Sequence, residues 1–491
     1  MEPGDILDAV SSVGTPNRPV YLVGGAVRDR LLGRKIHDYD FTMVGDSRAA
    51  ARKIADQIGG AYYPLDEERG TYRVILAVSG EDPVVLDFAM LRAANLEEDL
   101  RGRDFTLNAL ALNLAQPESV IDPMGGVLDL QGRVLRACSP TSISDDPVRS
   151  LRAVRMEYSL GLQIDPATRS QILLAPALLK RISAERTRDE LFRILDLDQV
   201  TEALLRLEEY GLLPVLLPEL VALKGMRQSP PHIYPGWEHT LKVVRRLDQI
   251  WDLIVNGNFD LIQKEPVFLP VQEILGRFQQ HLSSHYENWL VPLRSPHSLL
   301  TFSALYHDCA KPKTLSTDPD GRIRFFNHDQ LGAKVAAQRA RRLALSADEV
   351  EGIESIIAGH MRIHQLADAR LSPSPRSIYR YFRDTRRSGI DICLLSLADT
   401  MGTYGDTLPT DHWLDEIRTV AILMSAYWDQ PAKIVSPVRL INGNDLIQEL
   451  GMEPGPRIGK ILEAVREAQA AGEVANRAEA FTLAQQMLNE V

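Results

Sequence analysis

The stretch Val23–Asp46, VGGAVRDRLLGRKIHDYDFTMVGD, decides how this chain is read. It holds the glycine pair Gly24-Gly25, then Arg28-Asp29, then Asp38-Tyr39-Asp40 at the head of the apolar run Phe41–Val44. Aspartate is a poor strand former, so two of them on a strand need a reason. Residues i and i+2 of a strand face the same side. Asp38, Asp40 and Thr42 are therefore expected on one face, with Tyr39, Phe41 and Met43 packed behind. Adjacent carboxylates repel each other, and a divalent cation removes the conflict. Mg²⁺ takes hard oxygen ligands, often one or two carboxylates plus substrate phosphates. Two such ions about 4 Å apart clamp an in-line phosphoryl displacement. The glycine pair follows one strand and precedes a helix, where backbone amides approach a phosphate closely. Alone, an Asp-x-Asp is more often a solvated turn. The order strand, Gly-Gly, helix, strand with Asp-x-Asp is far more specific.

The chain around this stretch has 491 residues, more than one compact core accommodates, so two to four domains are expected. Hydrophobic residues make up 45% and charged residues 25%, as in ordinary globular proteins. The N-terminus MEPGDILDAV lacks the basic start and apolar core of a secretory signal, and no run approaches a membrane span. Cys138, Cys309 and Cys393 lie far apart in sequence, which suits a reducing cytoplasm. The net charge of −11 argues against a general nucleic-acid coat but leaves room for a local basic groove.

Residues up to about 137 mix short strands (PVYLVGG, DPVVLDFAML) with helices such as SRAAARKIADQIGG. From Asp145 onward the pattern is almost wholly helical, as in DPVRSLRAVRMEYSLG and AERTRDELFRILDL. Residues 254–297 are less regular and read as an insertion or long connection. LADARLSPSPRSI reads as a loop.

The opening stretch strongly resembles the signature of the class II tRNA nucleotidyltransferase and poly(A) polymerase family. The resemblance continues in order. DLRGRDFTLNALAL (Asp99–Leu112) resembles the second motif, with Arg103, Asp104 and Asn108 matching and Gly102 replacing an expected arginine. IDPMGGVLDLQGRVLR resembles the third motif, DDPVRSLRAVR (Asp145–Arg155) the fourth and ERTRDEL the fifth. LINGNDLIQELGMEPGPRIGKIL resembles the tail. The resemblance implies Mg²⁺ on Asp38 and Asp40, and a triphosphate cradle of Gly24, Gly25 and Arg28. Nucleotide contacts are implied from Arg103, Asp104, Asn108, Asp146, Arg149, Arg152 and Arg155. Asp146 and Arg149, three apart on an expected helix and so on one face, would read the Watson–Crick edge of CTP or ATP. Arg186 and Arg188 would add to a basic path for the tRNA. Asp87, acidic inside an apolar strand, is either a third metal carboxylate or a partner for Arg92 or Arg28.

A second constellation follows: His239, His307-Asp308, His328, His360 and Asp399. It resembles the HD phosphohydrolase domain, whose His and Asp ligate one or two divalent ions that activate water. His239, His307, Asp308 and Asp399 match the core ligands. His328 and His360 match the additional ligands of two-metal versions, and Lys311 is placed for a phosphate. Imidazole ligands suit Mn²⁺, Ni²⁺, Co²⁺ or Fe better than Mg²⁺. A decayed HD scaffold is the alternative.

The expected fold is α+β: a small mixed α/β nucleotidyltransferase head (1–137), a helical RNA-binding neck (138–225), an HD domain with an insertion (226–405) and a helical tail (406–491). The expected function is addition of C, C and A from CTP and ATP to the tRNA 3′ end, in the cytoplasm and without a membrane partner. HD hydrolysis, on 2′,3′-cyclic phosphates or phosphate monoesters, would be the second activity. The few residues between VVLDFAMLR and EEDLRGRDF point to CC addition alone as the first alternative, since the family's longer loop there is linked to the switch from C to A. A poly(A) polymerase and an HD hydrolase with an inactive head are the others.

Overall fold

A computed structural model describes residues 3–78, 83–287, 294–367 and 372–489. Asp82, at the start of the expected strand DPVVLDFAML, and Asp368–Leu371 of the expected loop LADARLSPSPRSI lie outside the described residues. The chain forms two compact units, Met1–Arg186 with Arg206–Val215, and Thr187–Leu205 with Leu216–Val491.

The first unit is built on one mixed sheet. Its strands are β1 (Val20–Val23), β2 (Asp38–Met43), β3 (Ala61–Asp66), β4 (Thr71–Leu76), β5 (Val84–Met90), β6 (Ala111–Asn113) and β7 (Val120–Ile121), in the order β3-β4-β5-β2-β1-β6-β7. β2 lies antiparallel to β1 and parallel to β5. Helix α1 (Gly25–Leu31) follows β1, α2 (Ser47–Ile58) follows β2, and α3 (Leu96–Arg101) follows β5. The larger core lies on one side of the sheet, and a smaller cluster of Val23, Leu100, Ala109, Ala111 and Cys138 lies on the other. Tyr39, Phe41 and Met43 of β2 pack in the larger core with Leu86 and Phe88 of β5 and Ala51 and Ile54 of α2. Phe41 stacks on Phe88 with centroids 5.2 Å apart. Asp38 and Asp40 point the other way and are exposed. Beyond the sheet the unit is helical apart from a short parallel pair, Val134–Leu135 with Gln163–Ile164, and α4 (Arg149–Leu160) is closed by Gly161 in the left-handed region.

The second unit is almost wholly helical. Its principal helices are α5 (Gly236–Ile254), α6 (Pro296–Tyr306), α7 (His328–Arg342), α8 (Ala347–Gly359), α9 (Arg362–Ala367), α10 (Pro375–Thr385), α11 (Ser388–Tyr404) and α12 (Thr410–Asp429). α11 is buried on every side from Ser388 to Thr403, and it packs against α5. The irregular stretch 254–297 is broken into short helices, Asp260–Lys264, Leu269–Leu275 and Gln279–Glu287. The fold is thus α+β, with its main sheet confined to the head.

Candidate functional site

Two sets of polar side chains stand out, one in each unit. In the first, β2 and β5 pair in register, so Asp40 lies directly opposite Asp87. Directly opposed residues point to the same face, so Asp38, Asp40 and Asp87 form a cluster of three carboxylates. Asp87 contacts neither Arg92 nor Arg28. It accepts two hydrogen bonds from Arg73 of β4, both at 2.8 Å. Arg73 is its direct neighbour in the β4–β5 ladder, which explains the pairing. Asp40 is held above the ordinary carboxylate range, first by the removal of water around its carboxyl, then by the like charges of Asp87 and Asp38, with Arg103 opposing. That is the electrostatic condition a cation relieves. The oxygen-only pair Asp38 and Asp40 fits Mg²⁺.

Gly24 caps α1 with φ +74°, a left-handed conformation available to glycine without strain. A Cβ there would also come within 2.8 Å of Arg103 Nη1 and 3.6 Å of Asp40 Oδ2. Gly24 N–H donates to Leu110 O at 3.1 Å and is not free for a ligand. Arg28 is tied by its neighbours: Nε and Nη2 donate to Asp29, each at 2.8 Å, and Nη1 to Asn108 Oδ1 at 2.6 Å. Asn108 Nδ2 in turn donates to Asp104 Oδ1 at 3.0 Å. Asp104 is buried. Burial pushes its carboxyl up, but Arg152, donating at 2.9 Å, helps hold it below the usual range. Arg155 lies half-buried one turn further along α4.

Asp146 and Arg149 do not share a helix. Asp146 is extended (φ −143°, ψ 89°) between the turn Ser142–Asp145 and α4. The reason is Pro147, whose ring disfavours helical backbone at the preceding residue. The pair still converges, with Arg149 Nε 3.8 Å from Asp146 Oδ2. Arg149 is steadied by the Ser142 hydroxyl at 2.8 Å and the Gly102 carbonyl at 3.0 Å. Arg186 donates to Asp146 Oδ2 at 2.7 Å, whereas Asp146 Oδ1 is buried with no hydrogen-bond partner.

In the second unit, His239 comes from α5, His307 and Asp308 from the end of α6, His328 from the first turn of α7, His360 from the end of α8 and Asp399 from α11. Their ligand atoms converge. His239 Nε2 is 3.3 Å from His307 Nε2, 3.4 Å from Asp308 Oδ2 and 3.2 Å from Asp399 Oδ1. His328 Nε2 is 3.2 Å from His360 Nε2 and 3.4 Å from Asp308 Oδ1. Asp308 thus turns one oxygen to each histidine group. His307, His328 and His360 each donate Nδ1–H to a backbone carbonyl, of Ala304, Phe325 and Ile357, at 2.7 Å. That bond fixes the tautomer and leaves Nε2 with its lone pair aimed inward, as metal-binding histidines require. Burial, with His328 and His307 beside it, pulls His360 down to about 3, so its ring is neutral. Burial opposes a charge on His239 as well, but Asp308 and Asp399 bring it up to about 9. The donors fall into groups, His239, His307 and Asp399 and, separately, Asp308, His328 and His360, that would hold divalent ions.

Lys311 points into this cluster. Its ammonium lies 2.6 Å from Asp308 Oδ2 and 2.8 Å from Gln228 Oε1. Sequence reasoning missed His232, which forms a further ligand group with His239 and Asp308. It also missed His364, 3.0 Å from Asp399, and Glu416 behind it. The i,i+4 spacing of His360 and His364 was an available signal; nothing marked Glu416. Arg188, within the second unit, donates to Ala344 O at 2.5 Å.

Family profiles match along most of this architecture. "Poly A polymerase head domain" covers residues 20–136, "Probable RNA and SrmB- binding site of polymerase A" 161–223, "HD domain" 269–401 and "tRNA nucleotidyltransferase domain 2 putative" 419–484. The A-adding tRNA nucleotidyltransferase of Deinococcus radiodurans is 34% identical over 96% of this chain and 95% of its own length. The chain belongs to the tRNA nucleotidyltransferase and poly(A) polymerase family. Another member, the CC-adding tRNA nucleotidyltransferase of Thermus thermophilus, is 31% identical over 94% of this chain and 92% of its own. The multifunctional CCA protein of Xanthomonas campestris is 29% identical over 92% and 98%. Among solved structures, a CCA-adding enzyme with CTP aligns over 100% of this chain and 96% of its own, with a TM-score of 0.60 and 20% identity, a likeness of fold. Among the described residues no helix is long and apolar enough to cross a membrane.

Proposed function

We propose that the head transfers nucleotides from CTP and ATP to the 3′ hydroxyl of tRNA, completing C, C and A and releasing pyrophosphate. The observation that carries this reading is the open carboxylate pair Asp38 and Asp40 beside Arg103, with Asp87 tied off by Arg73. Asp38 and Asp40 would hold Mg²⁺, which lowers the pKa of the attacking hydroxyl and steadies the departing phosphates. Gly25, Arg28, Arg103 and Asn108 line the triphosphate side, Asp104 and Arg152 brace them, and Arg155 extends the basic face. The free, buried Asp146 Oδ1 accepts the exocyclic amine that both cytosine and adenine carry, and Arg149 donates to the same base edge. The CCA-adding, CC-adding and A-adding relatives support this chemistry. The domain divisions 1–137, 138–225, 226–405 and 406–491 are part of the same reading, as is a cytoplasmic setting, which suits the buried, unpaired Cys138, Cys309 and Cys393.

One observation favours a narrower product. Between β5 and α3 the chain has only Leu91–Asn95, and this connection is pinned. Arg92 N–H donates to Asp99 Oδ1 at 3.0 Å, and Asn95 Oδ1 caps α3 from Glu98 N–H at 2.9 Å. Such a connection suits an enzyme that stops after two cytidines. Product length at single-nucleotide resolution decides. With transcripts ending before CCA, after C and after CC, complete CCA ends establish the full reaction and arrest at CC the narrower one. Addition of A alone to the CC-ended transcript makes an A-adding enzyme and long A tails a poly(A) polymerase. No incorporation overturns the head reading.

For the second unit we propose a metal-dependent phosphohydrolase, with His239, His307, Asp308 and Asp399 on one ion and Asp308, His328 and His360 on another. Mn²⁺, Ni²⁺, Co²⁺ or Fe suit the imidazoles. Hydrolysis of 2′,3′-cyclic phosphates or p-nitrophenyl phosphate with these ions tests it; inactivity with all of them refutes it.

A further inference from the structure

Asp399 shows its two oxygens to different neighbours. Oδ1 lies 3.2 Å from His239 Nε2 and 3.8 Å from His307 Nε2, on the inside of the cluster. Oδ2 faces outward and meets His364 Nε2 at 3.0 Å. The other ring nitrogen, His364 Nδ1, lies 3.1 Å from Glu416 Oε1. Glu416 is wholly buried (0% exposed), is held from the other side by the Ser396 hydroxyl, and keeps Oε2 without a partner. Carboxyl oxygens thus face both nitrogens of one ring, and His364 is strapped between Asp399 and Glu416. Two buried acidic groups on neighbouring helices, α11 and α12, would repel without it. A merely structural carboxylate would have been more cheaply replaced by an apolar residue at so dry a position.

We propose that His364 and Glu416 form an outer-sphere pair that fixes Asp399 as a single-oxygen ligand and thereby sets the affinity of the ion site shared by His239, His307, Asp308 and Asp399. The inference rests on the reading of the second unit as a metal centre. His364 engages Oδ2, so Asp399 cannot swing to chelate with both oxygens, and its inward Oδ1 is pre-aimed. Glu416 fixes the ring plane of His364 and makes it a stronger partner for Asp399, the role that carboxylates behind metal-site histidines commonly fill. α12 is thereby part of the metal centre, although its sequence carries no ligand. The site of His328 and His360 has no contact with the pair and serves as an internal reference.

The test is equilibrium binding of Co²⁺ and Mn²⁺ to the full chain, stripped of metal, with the d–d spectrum of bound Co²⁺ recorded at each addition. The second unit of the wild type is expected to take two ions, besides any held by Asp38 and Asp40 of the head. Glu416→Gln and His364→Gln are expected to weaken one of them about 10- to 100-fold, to shift its Co²⁺ spectrum, and to leave the other unchanged. Glu416→Asp, which restores the charge, is expected to recover part of the loss. Nucleotide incorporation by the head and the circular dichroism spectrum, unchanged, certify folding. Equal affinities for both ions in wild type and in folded variants overturn the inference while the metal-centre reading stands. A wild-type chain that binds no divalent ion at this unit overturns both.

Discussion

Replacing Asp146 by alanine isolates the proposed reading of the base. Asp146 divides its work between two oxygens: Oδ2 accepts from Arg186 at 2.7 Å, and Oδ1 is buried without a partner. Arg186 is 52% exposed, so losing its ion pair costs little stability. The loss falls on the nucleotide. Cytosine and adenine present an amine to Oδ1, whereas uracil presents a carbonyl oxygen that a carboxylate repels. A hydrogen bond to a charged acceptor contributes about 1.5–3 kcal/mol. Its removal therefore lowers kcat/KM for CTP by about 10- to 150-fold. Incorporation of UTP, which never gained that bond, is unchanged or improves, so discrimination between CTP and UTP collapses by at least the same factor. The assay is single-turnover extension of a tRNA transcript ready for C, with each nucleotide across a concentration series. A CTP-to-UTP preference within about twofold of wild type in the folded variant would refute the assignment of Oδ1 to the base.

Asp40→Asn is expected to depress nucleotide incorporation at least about 10²-fold while leaving melting unchanged, and a variant with substantial incorporation would remove Asp40 from the metal site. Stripping the protein with EDTA and restoring Mg²⁺ alone should return incorporation but not HD hydrolysis; joint recovery would contradict the assignment of softer ions to the second unit. His297 lies between Asp196 (3.3 Å) and Asp248 (3.2 Å); burial opposes its charge, but the two carboxylates bring it up to about 9. Because its folded value exceeds the unfolded 6.5, its contribution of about 3 kcal/mol is complete below pH 6.5 and is lost as pH rises through 9, a dependence that melting of His297→Gln should lack. Arg294 and Glu349 form a buried pair, with Glu349 only 1% exposed, so Arg294→Met should cost about 3–5 kcal/mol, and adding Glu349→Gln should recover part of the lost melting temperature.

What the sequence revealed depended on whether neighbours in space were neighbours in pattern. The period-2 alternation of DYDFTM placed Tyr39, Phe41 and Met43 inward and both aspartates outward, as β2 has them. Thr42 keeps the aspartates' face, beside Tyr21 and Ala89, but is buried there. The partner of Asp87 was illegible. Arg73 lies on the next strand, and only the register of β4 against β5 brings it there. The extended Asp146, by contrast, was legible from Pro147 and was missed when residue spacing was read as helical continuity. The HD ligands could be found by residue type, since all but Asp399 lie at or near a helix end. Glu416 could not, because it sits in an ordinary amphipathic helix and acquires its role only through His364.

The two centres differ in a way that keeps them from competing. The head offers carboxylate oxygens from Asp38 and Asp40 on an open strand, and it diverts the third carboxylate, Asp87, to Arg73. Such a site binds a hard ion weakly until substrate phosphates complete the shell. The second unit offers four inward imidazoles around buried Asp308 and Asp399, three of them locked by backbone carbonyls. Its ligands are in place before any substrate arrives, and imidazole favours later first-row ions over Mg²⁺. An ion that suits one centre is therefore poorly held by the other. On the proposed reading of both units, one chain would in this way keep nucleotide transfer on a freely exchanging ion and hydrolysis on a resident one.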